Sequence, residues 1–223
     1  MQGQPNQKEG DGAAEAAGAP IGAMSDETLR IMELSHRTKN ILSIVQALVN
    51  QTLQGDIPIA EARRTLSNRL VAMGNAVNSL VQAAWQGASL EEIVRAGLIH
   101  SGTFGERVRI AGPALEIGPG AAMSLSLVLH ELESNAIKYG SLSNGEGTVD
   151  LDWIVAGTDG NGTLMMTWQE RNGPAVTPPS RHGFGTRLTG SGIARRLGGK
   201  ADCRFAPEGL HWSLSAPVTE LAS

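Results

Sequence analysis

A single cysteine, Cys203, stands in the 223 residues, which excludes an intramolecular disulfide framework and a cysteine-cluster zinc site and suits a reducing compartment. There is no excess of positive charge: 18 basic against 22 acidic side chains leave a net charge of −4, so no global positive field is available for nucleic acid or an acidic membrane. Long hydrophobic runs are missing too. The most apolar stretch, Ile41 to Val49, is broken by Ser43 and Gln46, far short of the ~20 apolar residues of a membrane span. Residues 1–20 lack the basic-then-apolar order of a signal peptide. Aromatic residues are scarce at 4%, but hydrophobic residues at 41% and charged residues at 18% are ordinary globular usage, which excludes a wholly disordered chain. The expectation is a soluble, cytoplasmic protein that binds neither nucleic acid nor membrane.

The composition changes along the chain. Residues 1–24 are rich in Gly, Ala, Gln and Pro, with almost no large apolar side chains, and read as a disordered tail. From Asp26, Leu34, Thr38, Ile41, Val45, Leu48 and Thr52 recur at alternating spacings of 4 and 3, the seam of a long helix that Gly55-Asp56-Ile57-Pro58 stops. Leu66, Leu70, Met73, Val77, Leu80 and Ala84 repeat that spacing on a second helix. Residues 25–86 thus read as a helical hairpin whose wide apolar face suits a four-helix bundle in a homodimer.

Residues 87–223 follow another plan. Ser89-Leu90-Glu91-Glu92 has the spacing of a capping box and opens a short helix. Short strands at 107–110 and 114–117 flank Gly112-Pro113, and a helix at 121–139 turns Leu125, Val128, Leu129, Leu132 and Ala136 inward. Alternating Val149, Leu151, Trp153, Val155 and Leu164, Met166, Trp168 make a hairpin around the Gly-rich stretch 157–162. A Pro-rich loop over 173–185, a helix ending near Leu197 and a hairpin over 200–216 complete an α+β sandwich.

Two groups of residues point to chemistry. His36 lies off the seam on a polar stripe with Asn40, Ser43 and Asn50, where a neutral imidazole can act as a nucleophile. Glu131, Asn135 and Lys138 fall at i, i+4 and i+7 on one helix face with Tyr139 at its edge, a poor core surface but a good site for Mg²⁺ and polyphosphate. Gly183 and Gly185 permit close approach of backbone N–H groups to phosphate ahead of a helix N-terminus.

Leu34-Ser35-His36-Arg37-Thr38-Lys39-Asn40 resembles the phosphoacceptor box of the HWE and closely related bacterial two-component histidine kinases, and His130-Glu131-Leu132-Glu133-Ser134-Asn135-Ala136-Ile137-Lys138-Tyr139-Gly140 resembles their N box. Trp168-Gln169-Glu170 resembles their Trp-x-Glu motif, and Arg171-Asn172-Gly173-Pro174 and Gly183-Phe184-Gly185-Thr186-Arg187-Leu188 resemble the glycine boxes that close the nucleotide pocket. The likeness runs over residues 28–217. It implies the α/β sandwich of the GHKL type, an ATP-dependent protein-histidine kinase that autophosphorylates His36, and transfer of the phosphoryl group to an aspartate of a response-regulator receiver domain. By the same resemblance Asn135 holds Mg²⁺, Lys138 and Tyr139 contact phosphate or ribose, Glu131 orients the attacking group, and Glu170 accepts the exocyclic amine of adenine. His130, Trp168, Gly173, Gly183, Phe184 and Gly185 complete the cofactor-binding set, Trp168 being equally readable as an inward packing residue.

The chain departs from the wider kinase pattern at Arg37, where many histidine kinases carry an acidic base, and at Asn172, where a glycine is common. The phosphoryl chemistry requires hinge motion around residues 85–88. Before Asp26 there is no room for a sensor domain, so the input is expected from a separate sensor protein unless the chain is a fragment. The alternatives are a non-catalytic phosphotransfer adaptor with a degenerate ATP domain and a serine kinase sharing the ATPase fold.

Overall fold

The computed structural model describes residues 26–53, 58–82, 87–98, 106–157, 162–176 and 184–222. The expected tail, the helix stop at 55–57, Ala84, residues 85–86 of the hinge, the hairpin tip at 158–161 and Gly183 lie outside them. Contacts gather the chain into two units, Met1–Ile44 and Val45–Ser223, parted inside the first helix α1 (Asp26–Thr52).

In the first unit, α1 places His36 by its backbone. The seam residues Leu34 and Thr38 are exposed, as are Ile31, Met32 and Leu42. Thr38 and Ser43 donate their hydroxyls back to the carbonyls of Leu34 and Lys39 at 2.8 and 2.9 Å, which lets short polar side chains sit inside a helix.

In the second unit the end of α1 buries Leu48 and Thr52, and α2 (Ile59–Gln82) starts on the carbonyl of Pro58, which accepts from Glu61 and Ala62. The buried line of α2 is Ala62, Arg69, Ala72, Met73, Ala76 and Leu80, whereas the expected seam residues Leu66 and Val77 are half-buried and Leu70 is exposed. The small residues explain the shift. They let a neighbouring helix approach until Ser126 donates to the Ala72 carbonyl at 3.1 Å.

β1 (Ala88–Ser89) leads into α3 (Leu90–Gly97), whose first amide bonds to the Leu115 carbonyl at 2.9 Å. Ser89 is the N-cap but makes no side-chain cap bond, so the capping box expected there is not formed. β2 (Val108–Ala111) and β3 (Glu116–Ile117) do not pair with each other: β3 joins β1 in a two-stranded ribbon, and β2 enters the main sheet. Between them the Pro113 carbonyl takes the Trp153 indole N–H at 2.9 Å.

α4 (Pro119–Lys138) has Pro in its first turn and Lys138 in its last, both favoured placements. It fills the crossover from β2 to its parallel neighbour β4 (Thr148–Ala156), as a parallel pair requires. β5 (Thr163–Arg171) follows, then α5 (Phe184–Arg187), a wide turn at Leu188–Gly192 and α6 (Ile193–Arg196). β6 (Lys200–Ala206), β7 (Gly209–Pro217) and α7 (Val218–Leu221) close the chain. The five-stranded sheet has the order β2-β4-β5-β7-β6, and all pairs but the first are antiparallel.

Strand alternation makes the sheet two-faced. Leu151, Trp153, Leu164, Met166, Trp168, Trp212, Leu214 and Ala216 are buried on one face, and with Leu125, Val128, Leu129, Leu132 and Ala136 of α4 they form the core. On the other face Asp150 receives Arg109 and Arg171 at 2.9 and 3.2 Å. Burial raises the carboxyl, but the two guanidinium groups outweigh it and hold Asp150 below its ordinary range.

Candidate nucleotide site

The buried face of β5 reads Leu164, Met166, Trp168, Glu170, so the apolar stripe ends on a carboxylate. Glu170 is 1% exposed. Its Oε2 accepts the Ser141 backbone N–H at 2.8 Å and its Oε1 the Trp168 indole N–H at 3.2 Å. Burial pushes its pKa up, and the hydrogen bonds from Ser141 and Trp168 offset this only in part. Ser141 presents its amide because the chain turns at Gly140 after α4; a Cβ on Gly140 would collide with Glu170 Oε2.

Beside Glu170 opens a cavity of about 390 Å³, within the range of small-molecule sites. Leu132, Val176, Phe205 and Leu210 give it apolar walls, and Glu170, Asn135, Thr186 and Thr189 add polar groups. Such a lining suits a flat heterocycle with a hydrogen-bonding edge. Cys203 of β6, expected as a strand residue, also lines the cavity; burial, followed by the Asp202 and Glu170 charges, pushes its thiol up to about 11.

The polar face of α4 runs out of this cavity. Asn135 and Tyr139 line it, while Lys138 and Tyr139 are exposed, Tyr139 by 73%. Glu131 is buried one turn further in. The Gly185 backbone at the start of α5 lies against this face: a Cβ there would sit 2.7 Å from Glu131 Oε2 and 3.7 Å from Asn135 Nδ2. The glycine permits the approach.

Glu170, Asn135, Tyr139 and Gly185 are thus brought together, with Glu131 adjoining. Trp168 is fully buried outside the cavity wall, between Leu151 and Trp212 in register, and acts on the site through its bond to Glu170. His130 is buried in α4, away from the lining. Gly173 packs on Ser141 with no room for a Cβ, in a turn where Asn172 adopts φ 55°. Left-handed backbone of this kind is tolerated by Asn, as the sequence suggested. Phe184 is placed by its backbone at the head of α5.

Sequence reasoning missed Arg69, whose Nε and Nη2 reach Glu131 Oε1 and Oε2 at 2.6 and 3.1 Å. It also missed the Gly140-Ser141 cradle. An arginine spaced seven residues from Ala62 and from Ala76 is a signal only once those alanines are known to lie on the buried line.

Among the described residues no three His, Cys, Asp or Glu side chains converge to hold a metal. Mg²⁺ fits only as a phosphate-borne ion, since it keeps waters and phosphate oxygens and asks for one or two protein oxygens. The Asn135 amide oxygen at the cavity edge fits that requirement.

Residues 33–114 match the HWE histidine kinase family. The chain is thus similar to HWE histidine kinases, over that span by the family match and over 198 residues by the relatives that follow. It is 41% identical over 198 residues to a blue-light-activated histidine kinase of Brucella anthropi, covering 88% of this chain and 40% of the relative. A blue-light-activated histidine kinase of Brucella ovis is 37% identical over the same length, again with 40% of the relative covered. The chain therefore spans about 40% of the length of these curated relatives.

The fold matches the histidine kinase domain of the Erythrobacter litoralis EL346 blue-light activated histidine kinase, with a TM-score of 0.56 at 15% identity over 82% of this chain and 86% of that one. A longer structure of the same kinase gives a TM-score of 0.60 at 16% identity, covering 89% of this chain and 62% of that chain. No described helix is long and apolar enough to cross a membrane.

Proposed function

We propose that the chain is the transmitter part of an ATP-dependent protein-histidine kinase, acting as a cytoplasmic homodimer. The observation that carries this reading is that Glu170 and Asn135 line one cavity of about 390 Å³, with the Gly185 backbone lying against Asn135 and Glu131. Glu170 offers an acceptor to the exocyclic amine of adenine, and Leu132, Phe205 and Leu210 enclose the base. Asn135, Lys138 and Tyr139 would receive the ribose and phosphates where they leave the cavity, with the Gly185 backbone lying against Asn135.

His36 is the nucleophile of the proposed reaction. Its imidazole nitrogen forms a bond to the γ-phosphorus of ATP, the bond from that phosphorus to the bridging oxygen breaks, and ADP leaves. Asn135 would hold Mg²⁺, which neutralises charge on the phosphate oxygens. The phosphoryl group then passes to an aspartate of a response-regulator receiver domain, and the names of the relatives suggest that a sensory segment supplies the input. The intact N box argues against a non-catalytic adaptor.

Incubating the chain with γ-labelled ATP and Mg²⁺, then adding a receiver domain, tests the reading. Label should appear on the chain and move to the receiver. Label that never leaves the chain would remove the response regulator from the account.

A further inference from the structure

The sequence assigns Arg69 no role, yet it makes the most enclosed ion pair described in the chain. The two side chains are 5% and 10% exposed. Arg69 Nε and Nη2 occupy both oxygens of Glu131, while Nη1 donates to Thr52 Oγ1 at 2.7 Å. Thr52 in turn gives its own hydroxyl proton to the Leu48 carbonyl at 2.6 Å, so its lone pair faces the guanidinium. Three helices, α1, α2 and α4, meet at one planar group.

We propose that Arg69 is a positioning residue that withholds Glu131, a brake on phosphoryl transfer built into the contact between α2 and α4. The inference rests on the kinase reading above. A carboxylate that accepts two charge-assisted hydrogen bonds from a fixed fork is not free to orient an attacking group. Releasing it requires α2 and α4 to part, because both ends of the pair are rooted in buried helix faces joined again at Ser126 and Ala72.

Gly185 couples the pair to the nucleotide. Its backbone lies against Glu131 Oε2 and Asn135 together, so a shift of the Glu131 carboxylate and a shift of the segment over the phosphates are not independent. A buried ion pair is also a poor choice for stability alone, since well-packed apolar side chains of similar volume often do as well or better. Its use here as a two-state contact follows from its place: it joins the helix bearing the N box to the helix that follows the phosphoacceptor.

The test compares the wild-type chain with Arg69→Gln and Arg69→Lys, measuring the Kd for Mg-ATP by calorimetry and the initial rate of acid-labile labelling of His36 at saturating Mg-ATP. The glutamine variant should keep Kd within about twofold and label about tenfold faster, with the lysine variant between, because a ground-state restraint is lost while binding is not. A simple structural role would leave the rate unchanged or lower it. Label in the wild type with no gain in a variant that still binds nucleotide overturns the brake and leaves the kinase standing. Absence of label in every protein, all of them binding nucleotide, overturns both. Should the glutamine variant fail to bind nucleotide, the lysine variant decides in the same terms.

Discussion

Trp168 and Glu170 stand two residues apart on the same face of β5, and the indole N–H of the first donates to Oε1 of the second at 3.2 Å. The spacing of the Trp-x-Glu motif is that of a strand, in which i and i+2 share a face. The tryptophan is therefore core and site at once: its ring fills the sheet's inner layer and its nitrogen steadies the carboxylate.

That double role separates two substitutions. Trp168→Ala should cost about 3–5 kcal/mol of stability, the usual penalty for emptying a buried aromatic site. Trp168→Phe keeps most of the packing and should cost about 1 kcal/mol, yet weaken Mg-ATP binding by loosening Glu170. Urea unfolding and a nucleotide titration on the same samples check both. Unchanged affinity in the phenylalanine variant would reduce Trp168 to packing.

Glu170 gives the site a pH signature. Its pKa is raised above the ordinary 4.5 because burial disfavours the charge. As pH falls through the raised value the carboxylate takes a proton and loses an acceptor, so affinity for adenine nucleotide should fall there, at a higher pH than an exposed glutamate would give. Glu170→Gln should bind weakly throughout and lack this inflection. The stability linkage has the opposite sense: the folded state takes up the proton first, so this contribution is full below 4.5 and is lost as pH rises through the raised pKa. Unfolding free energies should therefore shift in favour of wild type over Glu170→Gln as pH is lowered from neutrality.

Gly140 tests the cradle from the other side. A methyl group at this position meets Glu170 Oε2 and the Ala136 backbone, so Gly140→Ala must displace the carboxylate or the turn. The expected result is a loss of nucleotide affinity by tenfold or more, on the order of 1.4 kcal/mol, with far-ultraviolet circular dichroism unchanged. Wild-type affinity would mean that Glu170 does not face the base.

Much of this was legible in the sequence because it is periodic. The alternation through β4 and β5, the inward set on α4 and the i, i+4, i+7 polar face each follow from one element's geometry. The left-handed turn at Asn172 was readable for the same reason, as a local backbone demand. What was not legible depends on which helix meets which. The 4-3 repeat on α2 found the buried Met73 and Leu80 but also marked Leu66 and Leu70, whereas Ala62, Ala72 and Ala76 are on the buried line, because close approach of a neighbouring helix rewards small side chains over large ones. Arg69 sits in that line and was invisible without its partner Glu131, 62 residues away. The capping box expected at Ser89 is not formed either, the N-cap side chain making no bond to the helix.

The most direct test of the account is labelling by γ-labelled ATP and Mg²⁺ in wild type and His36→Ala, with the product divided between acid and base. The account predicts label that acid removes and base spares, and none in the variant although it still binds nucleotide. Label of the same size in His36→Ala, or label stable to acid, would contradict it.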